Sequence, residues 1–196
     1  MRRAITLSLL LLTGPSLRAA PATTDGTALL AGGCYWGMEA VFEHVAGVTD
    51  VTSGYAGGRR NTGNGGPVRK GYAEAVRIRF DPAQISYDQL LEIFFTVAHD
   101  PSQVGRQGPD VGPQYRSAIF PQNGAQRSAA QTAIARLQRA GRRITTRVES
   151  GGFDPAAADQ QDYVKKNPNS RYVVVNDLPK LAHLRTAFPN LWRSRQ

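Results

Sequence analysis

Cysteine is almost missing from this sequence: Cys34 is the only one in 196 residues. One thiol excludes an internal disulfide framework and any site that needs several thiolates, such as a structural zinc or an iron–sulfur cluster. Three histidines do not favour a multi-histidine metal site, so neither a metal nor a cofactor is expected. Long apolar runs are scarce too. After the N-terminal segment, none is long enough to cross a bilayer. What remains is ordinary globular material. With 41% hydrophobic and 20% charged residues, wholesale disorder is excluded. The length suits one domain with a full-sized core, with or without a tail. Twenty Gly and 12 Pro point to many loops. Composition leaves open whether Cys34 is a buried hydrophobe or a reagent.

The N-terminus reads as a secretory signal peptide. Met1-Arg2-Arg3 is a basic start, residues 4–13 are an apolar run, and Ala19, Ala20 and Ala22 are small residues suited to cleavage. Ala20-Pro21-Ala22 sets the expected cut after Ala22, since a cut after Ala20 would leave Arg18 where a small residue is preferred. The expected division is residues 1–22 as signal peptide and 23–196 as the mature domain. The bland alternative is an uncleaved anchor. Cleavage implies export, to the periplasm, with no stable membrane insertion afterwards. Losing Arg2, Arg3 and Arg18 would lower the net charge from +9 to about +6. A basic chain invites a nucleic-acid reading. However, Arg59-Arg60, Arg142-Arg143 and Lys165-Lys166 are scattered pairs without interleaved aromatics. A solvated basic surface is the better reading, and no nucleic-acid partner is expected.

Residues 27–33 read as a short buried strand ending in a Gly-Gly turn. Met38, Val41, Phe42 and Val45 then form one helical stripe, stopped by Gly47. Residues 48–55 read as a second strand, and the Gly-, Asn- and Pro-rich residues 56–71 as the longest loop. Residues 73–80 alternate, with Val76, Ile78 and Phe80 on one face and Arg77 and Arg79 on the other. Ser86 and Gln89 have capping-box spacing before a helix carrying Tyr87, Leu90, Leu91 and Phe94. After a polar loop at 99–114, residues 115–120 read as a strand, 124–140 as a helix and 143–149 as a further strand. The β-α-β-β-α-β order predicts an α+β fold. It is a two-layer sandwich with a split β-α-β (ferredoxin-like) core and a mostly antiparallel sheet. Residues from 150 read as a C-terminal tail wrapping the core, with Asp177-Leu178-Pro179 starting a short helix.

Chemistry concentrates at few positions. Cys34 lies at a strand-Gly-Gly-Cys-helix junction. Unpaired amides and the helix dipole there lower a thiol pKa, and the glycines are expected to leave the sulfur open to solvent. Glu74 is in phase with Val76, Ile78 and Phe80, so desolvation should raise its pKa and fit it for acid catalysis. The alternative is a strand-end carboxylate paired with an Arg. Asp110 and Tyr115 lie in and just after the polar loop, where turn chemistry and strand packing would equally explain them. Tyr35 and Trp36 could line an apolar pocket or belong to the core.

Together these residues carry a resemblance. Gly33-Cys34-Tyr35-Trp36-Gly37 resembles the nucleophile motif of the peptide methionine sulfoxide reductase A family. Gly54-Tyr55-Ala56-Gly57-Gly58, Ala73-Glu74-Ala75-Val76, Phe80-Asp81-Pro82, His99-Asp100-Pro101, Arg106-Gln107-Gly108-Pro109-Asp110 and Gln114-Tyr115-Arg116-Ser117-Ala118-Ile119 match in the same order. The match covers about residues 28–168. The resemblance implies that Cys34 attacks the sulfur of methionine S-sulfoxide and ends as a sulfenic acid. It implies that Glu74 protonates the sulfoxide oxygen and that Tyr115 hydrogen-bonds it. It also implies that Tyr35 and Trp36 hold the methyl group, and that Asp110 organises the site and helps the later thiol step. A sulfoxide oxygen leaves poorly unless protonated, so an acid held neutral is needed beside the nucleophile.

The sequence also departs from the family pattern. Tyr35 stands for a usual Phe. The loop before Glu74 lacks the Pro-Thr-Tyr segment that supplies a second sulfoxide-binding Tyr, which leaves Tyr72 or Tyr55 to provide that hydroxyl. Ala157 and Gln160 replace an acidic residue and a His, so support from that segment is expected to be weaker. No downstream Cys exists to resolve the sulfenic acid, so an external thiol is implied, such as a thioredoxin-like protein. The alternative is a catalytically weak module of the same fold that binds oxidised methionine. A third reading, a basic nucleic-acid binder, would require affinity that falls steeply with salt.

Overall fold

The computed structural model describes residues 26–58 and 71–194. The signal peptide at 1–22 and most of the 56–71 loop lie outside these residues. Six strands among them form one sheet in the order β7-β6-β1-β3-β2-β8. These are β1 (Gly26–Gly32), β2 (Val48–Ala56), β3 (Ala73–Phe80), β6 (Ser117–Ile119), β7 (Arg147–Val148) and β8 (Phe153–Pro155). β4 (Arg106–Gln107) and β5 (Asp110–Val111) make a separate small hairpin. Every pairing is antiparallel except β6 with β7. The exception has a topological cause, because helix α3 (Gly124–Arg139) carries the chain back to the same end of the sheet. The fold is mixed α and β with a mostly antiparallel sheet.

Helix α1 (Tyr35–Glu43) buries Met38, Val41 and Phe42, as the stripe predicts. Gly47 ends that segment at φ +85°. Helix α2 (Tyr87–Ile93) starts at the predicted capping box. Gln89 N–H donates to Ser86 Oγ at 3.2 Å, and Ser86 N–H donates to Gln89 Oε1 at 2.9 Å. A π-turn at Phe94–Ala98 follows. These helices, α3 and α4 (Leu178–Ala187) share one apolar cluster with Ala28, Leu30, Val76, Ile78 and Phe80 of the sheet. The opposite face carries Leu29, Ala31, Ala73, Ala75, Ala118 and Phe120. No helix of the described residues is long and apolar enough to cross a membrane.

Three local expectations are corrected. Tyr115 lies on a 3-10 turn, Pro113–Tyr115, and not in a strand. The 143–149 strand shrinks to Arg147–Val148, since only Ala118 and Ile119 remain for it to pair with. The segment after 150 does more than wrap, because β8 is the edge strand beside β2.

The register explains why a site assembles at one end. Gly32 pairs with Ser117, and Leu30 pairs with Val76. The end of β1 therefore meets the starts of β3 and β6, which carry Glu74 and follow Tyr115. Buried His99 fastens the neighbouring loop. Its Nδ1–H donates to the Phe94 carbonyl at 2.9 Å, and its Nε2 accepts from Ser117 Oγ at 2.7 Å. Burial holds this ring neutral, with its pKa lowered to about 4.

Candidate active site

Cys34 is the N-cap of α1, in the turn that leaves β1. Gly33 before it has φ +97°, a conformation that favours glycine. A side chain there would also strike Gln107 Cβ at 2.6 Å. Gln107 in turn binds the Asp100 backbone through Oε1 at 3.1 Å and Nε2 at 3.0 Å. The glycine thus lets the β4–β5 hairpin pack against the turn that carries the thiol.

The expectation of an exposed, acidified sulfur is overturned. Cys34 is only 8% exposed. Burial first, and then the Glu74 carboxylate, push its pKa up to about 12; the Trp36 amide and the Tyr172 hydroxyl pull it down by less. The helix N-terminus acts as predicted, but desolvation is the larger effect.

Glu74 meets its expectation. Burial pushes its pKa up to about 7, opposed by the Tyr35 N–H, which donates to Oε2 at 3.2 Å, and aided by Asp110. The carboxyl group is therefore partly protonated near neutral pH. Tyr115 faces the same group. Its pKa is raised by burial, then by Glu74 and Asp110.

Asp110 opens β5, and its Oδ2 accepts from the Tyr172 hydroxyl. That tyrosine is the residue which sequence reasoning missed, since Tyr172–Val175 reads only as an apolar run. Its hydroxyl also acts on Cys34, pulling the thiol pKa down. In the sequence, Asp177 has the look of a helix cap. It makes no side-chain cap bond. It is 1% exposed and pairs through Oδ1 with Lys180 Nζ at 3.4 Å. Its Oδ2 has no hydrogen-bond partner among the described residues, and burial raises its pKa. No signal in the sequence separates this buried acid from a cap. Among the described residues, no three His, Cys, Asp or Glu side chains gather as a metal site.

The family model for peptide methionine sulfoxide reductase matches residues 26–191. The chain belongs to this family. It is 44% identical over 91% of its length to peptide methionine sulfoxide reductase MsrA 2 of Mesorhizobium japonicum, 94% of which is covered. It is 48% identical over 85% of its length to MsrA 2 of a Synechocystis strain, 82% of which is covered. Its fold is similar to crystalline Mxr1 of Saccharomyces cerevisiae in reduced form, at 29% identity and a TM-score of 0.69. That match covers 78% of this chain and 91% of Mxr1. Mxr1 in complex with Trx2 shares the fold at 23% identity and a TM-score of 0.50, covering 76% of this chain and 90% of Mxr1.

In this member of the reductase family, an aromatic wall flanks the thiol. The indole of Trp36 stacks on Tyr163 at 3.6 Å and meets Tyr172 edge-on at 5.7 Å. Gln160 lies in the segment where weaker support is expected, and its Oε1 accepts from Trp36 Nε1 at 3.2 Å and from the Tyr35 hydroxyl at 3.4 Å. The two candidate tyrosines diverge. The Tyr55 hydroxyl meets that of Tyr35 at 3.2 Å, and Tyr55 pairs with Glu74 across β2 and β3. Tyr72 donates to Asp154 Oδ2 at 3.3 Å and packs under Gly58.

Proposed function

We propose that Cys34 reduces the S epimer of methionine sulfoxide, in proteins and as the free amino acid, by taking its oxygen as a sulfenic acid. Family membership makes the chain a methionine sulfoxide reductase, and the binding-only alternative is not favoured. The observation that carries the residue assignment is Glu74, which accepts from the N–H of Tyr35, the residue next to Cys34, and whose pKa is pushed up to about 7.

Glu74 protonates the sulfoxide oxygen, and Tyr115 hydrogen-bonds it. Tyr35 and Trp36 hold the methyl group, and Asp110 organises the thiol. In the transfer, the sulfoxide S–O bond breaks and a Cys34 S–O bond forms. The methionine sulfur gains two electrons and Cys34 loses two. An external thiol then displaces water from the sulfenic acid to give a mixed disulfide, and a second thiol releases Cys34. A thioredoxin-like protein fits this role, because the chain has no second cysteine. Residues 1–22 act as a signal peptide, so the enzyme works in the periplasm and repairs exported proteins. The order β6-β1-β3-β2 supports a split β-α-β (ferredoxin-like) core with residues from 150 as its tail.

The test is an intact-mass measurement without added thiol. Reduced protein mixed with a methionine sulfoxide peptide is expected to gain one oxygen on Cys34, and Cys34→Ser none. Neither an added oxygen nor free methionine would hand the site to the binding-only reading.

Tyr55 supplies the second hydroxyl. Tyr55→Phe is expected to lower kcat/KM about tenfold, the loss of one good hydrogen bond, and Tyr72→Phe to change it less than about twofold. Steady-state turnover of both variants decides this, and the reverse ranking would assign the role to Tyr72.

A further inference from the structure

Trp36 walls a substrate pocket only if something outside its own helix fixes the indole. Four consecutive tail residues are built for this, each with a different contact. Gln160 Oε1 accepts from Trp36 Nε1 at 3.2 Å. The Tyr163 ring lies 8° from parallel to the indole, with centroids 3.6 Å apart. Gln161 is clamped to β2, where its Oε1 accepts from the Ser53 N–H at 2.8 Å and its Nε2 donates to the Ser53 carbonyl at 2.9 Å. Asp162 N–H donates to Glu39 Oε2 at 2.9 Å. Glu39 lies one turn after Trp36 on α1, so both side chains meet the same segment.

Asp162 is where the segment turns. It has φ +53°, the one positive value among the described residues that are not glycine, and it starts the one-turn helix Tyr163–Lys166. A residue with a side chain keeps that backbone only where its surroundings hold it there. The Lys166 ion pair, Nζ to Oδ2 at 3.6 Å, is about half exposed on both sides and holds little. The buried support is Glu39, which is 2% exposed. Burial, and then the charges of Glu43 and Asp162, push its pKa up to about 7, against the pull of the Asp162 N–H.

We propose that Glu39 is a positioning residue for the methyl pocket: by holding the Asp162 N–H it fixes the turn that lays Tyr163 on Trp36. The proposal rests on the reading of Trp36 as a wall of that pocket. Glu39 takes no part in the bond changes. Cys34 and Glu74 are placed by β1 and β3, which pair directly. Loss of the Glu39 brace therefore releases the indole while the sulfur and the acid stay in register.

Single-turnover oxygen transfer to Cys34, followed without added thiol against the concentration of a methionine sulfoxide peptide, tests the brace. Glu39→Leu keeps the bulk and removes the acceptor. It is expected to raise the half-saturating concentration about tenfold and to leave the limiting rate within about threefold. Glu39→Gln still offers an oxygen to the Asp162 N–H, and both values should stay within about twofold of wild type. Tyr163→Leu removes the stack itself. It is expected to repeat the Glu39→Leu pattern, and it keeps the test decisive if that variant fails to fold. Trp36 emission is read in a Trp192→Phe background, since the chain has two tryptophans. It should shift in Glu39→Leu and not in Glu39→Gln. A wild-type half-saturating concentration in both Leu variants, or a fall in the limiting rate alone, would overturn the brace. A wild type that gains no oxygen at all would overturn the role of Cys34 itself, an outcome that involves no variant.

Discussion

Glu74→Gln is expected to slow oxygen transfer to Cys34 by about 10²–10⁴-fold, the usual worth of a positioned acid. Glutamine keeps the size of the side chain and can still accept from the Tyr35 N–H, which Glu74 holds at 3.2 Å. What it loses is the transferable proton. The wild-type rate should fall as pH rises through about 7, the value to which burial pushes this carboxyl group. In the variant that limb should be missing. Stability should move the other way. A carboxyl group whose folded pKa lies above its ordinary 4.5 binds more protons folded than unfolded between the two values. Stability is therefore lost as pH rises through that window. Removing the group should stabilise the protein at pH 8 by about 1–2 kcal/mol and leave it unchanged near pH 4. A variant that is slower yet harder to melt marks an acid held for its chemistry. Turnover within threefold of wild type would remove Glu74 from the mechanism.

Gly37→Ala is the second large effect. Gly37 sits in the first turn of α1, where alanine would gain about 1 kcal/mol by helix propensity alone. The added methyl group would come within 2.6 Å of Lys180 Nζ, and closer still to Asp177 Oδ1. Asp177 is buried and Lys180 half-buried, and overpacking of this kind costs about 1–3 kcal/mol, so the clash outweighs the propensity. The tail carrying Asp177 also carries Tyr172, and displacing it should unseat the Tyr172–Asp110 contact. The expected result is a lower Tm together with a loss of turnover of more than about tenfold. Thermal melts and steady-state rates check it. A variant that melts later and turns over normally would mean that the tail is free to move aside.

Much of the fold was legible because its signals are local. The alternation over residues 73–80, the Ser86–Gln89 box and the α1 stripe each lie within one element, and each forms where predicted. The same alternation that makes a strand of β3 turns Glu74 towards the apolar face, so its raised pKa was readable too. Tyr115 and residues 143–149 were misread because their conformation depends on which neighbours remain to pair with. Asp177 has the look of a cap, and only the approach of Lys180 and Gly37 shows otherwise.

The sequence by itself determined the reagents: one thiol, one acid in phase with a buried strand face, and an ordered set of family motifs. It also determined that no second thiol of this chain can resolve Cys34. Tertiary structure decided the state of that thiol and the company it keeps. Local rules, the glycine turn and the helix N-terminus, predict an open and acidic sulfur. Burial makes it a closed and neutral one, because desolvation exceeds what one amide and one hydroxyl return. The contact beside it, Tyr172 joined to Asp110, bridges 62 residues of sequence. Sequence spacing carries no signal for such a contact, since only packing brings the two side chains together.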